Sequence, residues 1–154
     1  YLHDIGNVIS RYEHGIAGGI IAQNLLSKRG MPPEEVTQVI GAIGNQEEEY
    51  GSAVSPVAAA LIIADKSDVH RTRVRNTDFA TFDIHDRVNY AVEHSFVRVN
   101  PENKTIDLEL TINKEIVPVM DYFEIFLTRM IMCRKAAHFL NCKFGLIING
   151  SQLL

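Results

Sequence analysis

The stretch "SPVAAALIIADKSD", residues 55–68, constrains this chain more than any other. Ser55 is a favoured N-cap and Pro56 suits the first helical position, so the run opens as a helix. From Pro56 to Ala64 it holds no polar side chain. A helix that is apolar all round is buried all round, and this one falls well short of the ~20 residues a membrane span needs. It is therefore expected to be the central helix of a helical subdomain. Its end carries chemistry. Asp65 follows the last alanine directly, and a carboxylate there is costly unless it is paired, hydrogen-bonded or on a metal. The plain alternative is that Asp65 marks where burial stops.

Two helices are predicted before it. "EHGIAGGIIAQNLLSKRG" places Ile16, Ile20, Ile21, Leu25 and Leu26 at helical spacing and ends at Gly30, a C′ glycine. "MPPEEVTQVIGAIGN" has Pro32 and Pro33 at its start and Glu34 and Glu35 where the helix dipole favours acids. "QEEEYGSAV" reads as a polar connection. The pattern changes near residue 78. Asp83 is placed to cap a helix running to about His94. "HSFVRVN" and "KTIDLELTIN" then alternate around the turn "NPENK", a β-hairpin. "VPVMDYFEIFLTRMIMCRKAAHFLN" is a long amphipathic helix whose Phe123, Phe126, Leu127, Met130 and Ile131 read as core. "KFGLIING" is a last strand. The reading is α+β, a helical part over residues 1–77 and a small α-β-β-α-β subdomain over 78–154.

Bulk properties narrow the function classes. The 154 residues carry 46% hydrophobic and 22% charged side chains, as a chain with a buried core does. A net charge of -4 argues against general nucleic-acid binding, and no run is long enough for a membrane span. Cys133 and Cys142 lack metal or disulfide spacing and read as reduced thiols, which with the absence of a secretory signal points to the cytoplasm. The chain opens on "YLHDIGN", the tail of a helical pattern, and so reads as lacking an N-terminal segment.

That opening holds His3 and Asp4 side by side, with Gly6 close behind to let another element approach. Imidazole with carboxylate suits a divalent transition metal. Asp65 offers a further ligand from a distant helix. After it come Lys66, His70, Arg71, Arg73 and Arg75. With Lys66, His70 and Arg73 on one helical face, such cations beside a carboxylate-rich site would hold a phosphate. The alternative is a solvated helix end, where cations also suit the dipole.

At these residues the chain resembles the HD-domain superfamily of metal-dependent phosphohydrolases. The matching motifs are the His3-Asp4 doublet in "LHDIGN", His14 in "EHGIAGG" and Asp65 in "ALIIADKSD", over roughly residues 1–75. The whole chain, "MDYFEIFLTRM" included, is similar to predicted hydrolases of that superfamily with an appended α/β module. The resemblance implies an all-helical HD-type bundle and a divalent ion (Mn, Fe, Ni, Zn or Mg) held by His3, Asp4 and Asp65. It adds an early histidine that would lie upstream of Tyr1. His14 matches a position that binds a second ion or faces the substrate in two-metal members. Those members carry histidines where this chain has "GNQEEEYG", so Gln46 implies one ion, with Asn45 and Gln46 turned to substrate or water. The "GYP"-type signature of cyclic-dinucleotide phosphodiesterases is missing after Gly51.

The expected activity is hydrolysis of a phosphate ester on a small phosphorylated substrate, nucleotides included. Asp65 would orient the water, His14 would serve as general acid or substrate contact, and Lys66 would neutralise charge. Gln46 and Arg71 would bind substrate. Two rival readings are a catalytically degenerate HD-type nucleotide-binding module and a homodimer formed through strand edges of the C-terminal subdomain.

Overall fold

The computed structural model describes residues 1–154 and contains a helical part followed by a mixed helix and sheet part. It divides into two compact units, Tyr1–Ile63 and Ala64–Leu154. The division falls inside a helix, upstream of the composition change near residue 78.

In the first unit the predicted helices form at α1 (His14–Lys28) and α2 (Pro33–Gly44). Gly30, at φ 79°, ends α1 as expected, with Gly30 and Met31 N–H groups returning to the Ser27 and Leu26 carbonyls. The buried face of α1 differs from the prediction. It consists of Gly15, Gly18, Gly19 and Ala22, whereas Ile16 and Ile20 are 49% and 66% exposed. Small residues let backbones close in, and α1 packs against both α2 and the segment Ile5–Val8. That segment is a short 3-10 turn preceded by Asp4, so the doublet does not sit within an α-helix. Gly6 and Asn7 are weak helix formers. The approach foreseen at Gly6 is present: a Cβ there would overlap the His14 carbonyl.

The apolar run forms α3 (Pro56–Ser67), capped by Ser55, whose Oγ accepts from the Ala58 N–H at 3.1 Å. It is not buried all round. Ala58, Ala59, Ile62 and Ile63 are buried, while Val57, Ala60 and Ala64 are exposed. Alanine costs little to expose, so the uniform apolarity hid an ordinary one-sided helix. α3 also ends sooner than predicted. Ser67 Oγ bonds the Ala64 carbonyl, Val69 is fully buried, and a 3-10 turn follows at Arg71–Arg73. Lys66, His70 and Arg73 therefore do not share a helical face.

In the second unit Asp83 caps α4 (Ile84–Ala91), its Oδ1 accepting from the Asp86 N–H at 2.7 Å. α4 passes directly into β1 (Val92–Asn100), so it stops short of His94. β1 pairs antiparallel with β2 (Thr105–Ile112), the predicted hairpin. α5 (Val119–Phe139) crosses over to β3 (Lys143–Ile148), which lies parallel to β2. A two-residue strand, β4 (Ser151–Gln152), was not foreseen and completes the order β1-β2-β3-β4. Alternation on β2 places Ile106, Leu108, Leu110 and Ile112 in the core with Phe144, Leu146 and Ile148 of β3. α5 contributes Tyr122, Phe126, Met130, Cys133 and Ala137. Leu127, read as core, is 50% exposed because the buried line runs one residue to its side. Of the two strands proposed as dimer edges, β2 lies between β1 and β3, while β3 is bordered on its other side by β4 only at Ile147 and Ile148. No helix is long and apolar enough to cross a membrane.

Candidate metal site

Four sequence-predicted residues meet in the first unit: His3, Asp4, His14 and Gln46. Asp4 precedes the 3-10 turn, and His14 is the first residue of α1. The missing side chain at Gly6 lets the turn lie against the start of α1, which brings the doublet to His14. His14 Nε2 is 3.2 Å from Asp4 Oδ1, and His3 Nε2 is 3.5 Å from Asp4 Oδ2. Gln46, beyond the end of α2, donates from Nε2 to the His3 carbonyl at 2.9 Å and lies 3.4 Å from His14 Nε2.

The hydrogen bonds assign the ring of His14. Its Nδ1 is 3.0 Å from the Arg11 carbonyl oxygen, which can only accept. Nδ1 therefore carries a proton. Nε2 faces a carboxylate oxygen at 3.2 Å, a spacing that suits a cation between them, either a second proton on the ring or a metal ion. Ligand atoms on one ion at ~2.1 Å stand roughly 3.0–3.4 Å apart, a spacing the Asp4 pair with His14 meets and that with His3 approaches. Gln46 is 1% exposed; its Nε2 faces the two histidines, and its Oε1 is buried with no donor. An acceptor buried without a partner costs about 1–3 kcal/mol. These residues fit a cation beside Asp4. No group of three or more His, Cys, Asp or Glu side chains is closed around one point, since the two imidazoles address different oxygens of Asp4.

Glu47 escaped the sequence reading, which took "QEEEYG" as a polar connection. Its Oε1 accepts from the Gly15 N–H at 2.5 Å and the Tyr50 hydroxyl at 2.9 Å, and lies 3.3 Å from His14 Nδ1. Its position directly after Gln46, in a run of three acids, was the only available signal. Burial and the hydrogen bond to the Glu47 carboxylate push the Tyr50 hydroxyl up to about 12, so it stays a donor at neutral pH.

Asp65 and Lys66 belong to the second unit, at the end of α3. Lys66 Nζ donates to Asp65 Oδ2 at 2.7 Å, and Lys66 is only 7% exposed. The carboxylate at the end of the apolar run is thus paired, one of the conditions its burial demands. Arg71 is engaged elsewhere. It donates to Glu93 Oε1 at 3.0 Å and stacks over Tyr90 at 5.0 Å, so its guanidinium serves the packing of the second unit.

Comparison with protein-family models, curated proteins and solved structures found no match to this chain.

Proposed function

We propose that the chain is an HD-type metal-dependent phosphohydrolase that cleaves a phosphate ester of a small substrate, nucleotides among them. The observation that carries this reading is the placement of His14 Nε2 3.2 Å from Asp4 Oδ1, with His3 Nε2 3.5 Å from the other carboxylate oxygen. His3, Asp4 and His14 would bind the ion, and Asp65, paired with Lys66 in the second unit, is not assigned to it. A divalent ion bound there would supply Lewis acidity and an acidified water. Gln46 Oε1 accepts a hydrogen bond from substrate or water. Arg71, held by Glu93, is dropped from the substrate contacts.

Metal content of the purified chain by mass spectrometry tests this, with Asp4→Ala and Asp65→Ala alongside. About one divalent metal per chain, lost from Asp4→Ala, is the expected result. Metal retained in Asp65→Ala confines the ligands to the first unit. Phosphomonoesters and nucleotides are then screened for release of inorganic phosphate. A chain that takes up no metal but binds a nucleotide is the degenerate binding module instead.

A further inference from the structure

Glu47 touches the site from behind. Imidazole nitrogens lie on opposite edges of the ring, and Glu47 Oε1 is on the Nδ1 edge, 3.3 Å from Nδ1. Asp4 is on the Nε2 edge. A carboxylate so placed would act on an ion beside Asp4 through the ring.

Its other contacts show what it holds in place. The residue before α1, Glu13, takes a left-handed φ of 52° and makes no side-chain cap. A helix start without a cap leaves amide donors unpaired. Glu47 fills that role from the loop after α2, taking the Gly15 N–H at 2.5 Å. Tyr50 steadies the same oxygen from the other side at 2.9 Å. The Glu47 side chain is only 12% exposed, so water screens these contacts little. One carboxylate oxygen thus gathers the backbone of α1, the His14 ring and a tyrosine hydroxyl. The Arg11 carbonyl, at 3.0 Å, takes the Nδ1 hydrogen bond itself, with the Glu47 carboxylate beside it at 3.3 Å.

We propose that Glu47 is a positioning residue: its charge beside Nδ1 reinforces the tautomer that the Arg11 carbonyl selects and holds the aim of His14 so that Nε2 is presented beside Asp4, and thereby sets the affinity of the site for a divalent ion. This rests on the metal reading above. Partners of this kind on a ligating histidine typically change metal affinity by about 10–100-fold when removed.

The test uses the full chain with Co²⁺ as probe, followed by visible absorption and calorimetry. Variants are Glu47→Ala, Glu47→Gln and Asp4→Ala, with thermal melts as the folding control. Glutamine keeps an oxygen that accepts from Gly15, Tyr50 and His14. Glu47→Ala is expected to bind Co²⁺ roughly 10–100-fold more weakly, and Glu47→Gln to recover most of that loss. A folded Glu47→Ala protein with wild-type affinity overturns the proposal, as does a folded glutamine variant as weak as alanine. A second readout needs no metal. Nitrogen-15 spectra of the metal-free protein, taken well above the ordinary histidine pKa of ~6.5, report the His14 tautomer. The Nδ1–H form is expected to dominate in wild type and Glu47→Gln and to lose ground in Glu47→Ala. An unchanged tautomer in Glu47→Ala defeats the positioning role. Wild type that binds no Co²⁺ defeats the metal reading instead, and the tautomer result still decides whether Glu47 sets the ring.

Discussion

The helices α1 and α5 bury opposite kinds of surface. α5 meets its sheet with bulk: Tyr122, Phe126 and Met130 are each at most 3% exposed. α1 meets its neighbours with glycines and an alanine and turns Ile16 and Ile20 outward. The first mode fills space between a helix and a sheet with side-chain volume. The second draws backbones together. Each has a consequence for chemistry. Side-chain packing gives the second unit its rigid core. Backbone approach in the first unit carries two polar residues, His3 and Asp4, to the start of another helix. The site exists because the packing there is thin.

The contrast predicts opposite responses to volume. Removing it from the second unit should have the larger effect. Phe126→Ala is expected to cost about 4 kcal/mol, read from denaturant unfolding of the second unit. Adding volume to the first unit should come next. In Gly6→Ala the new Cβ would collide with the His14 carbonyl and stand 2.7 Å from the Gly18 nitrogen. Both are main-chain atoms, which yield poorly, so a loss of about 3 kcal/mol is expected. Uptake of Co²⁺ should weaken together with stability, because the same shift displaces the doublet. A Gly6→Ala protein with wild-type stability and uptake would show that the approach at Gly6 is not what builds the site. The smallest effect belongs to the apolar stripe that the sequence made prominent. Ile20→Ala, at a residue 66% exposed, is expected to change stability by no more than about 0.5 kcal/mol. A loss of several times that in a thermal melt would mean that Ile20 is covered in solution.

Legibility followed the same division. On β2 every second residue is apolar, and a strand with one buried face can satisfy that pattern in only one register. Capping was readable wherever one residue does the work, as at Ser55, Asp83 and Gly30. Glycine faces were not readable, because hydrophobic periodicity counts side chains and glycine has none. α3 misled for a related reason: alanines look apolar in sequence yet sit as easily in water as in a core. The candidate site was legible in part. His3, Asp4, His14 and Gln46 were chosen for their chemistry and stand within hydrogen-bonding or ion-pairing reach of one another. Glu47 was hidden among three consecutive acids, where nothing local marks the one that turns inward. Arg71 drew attention as a cation, but its partner Glu93 lies on β1, far along the chain.

What the sequence determined by itself was local: where helices begin, which strand alternates, and which residue types are competent to hold a cation. Those properties depend on a few neighbouring residues and their intrinsic conformational preferences. The tertiary structure alone decided which face of α1 is buried, that β2 and β3 lie side by side, and which edge of the His14 ring meets Asp4 and which meets Glu47. Those depend on groups brought together from distant positions, whose pairing is chosen by the shape and hydrogen-bonding needs of the whole unit.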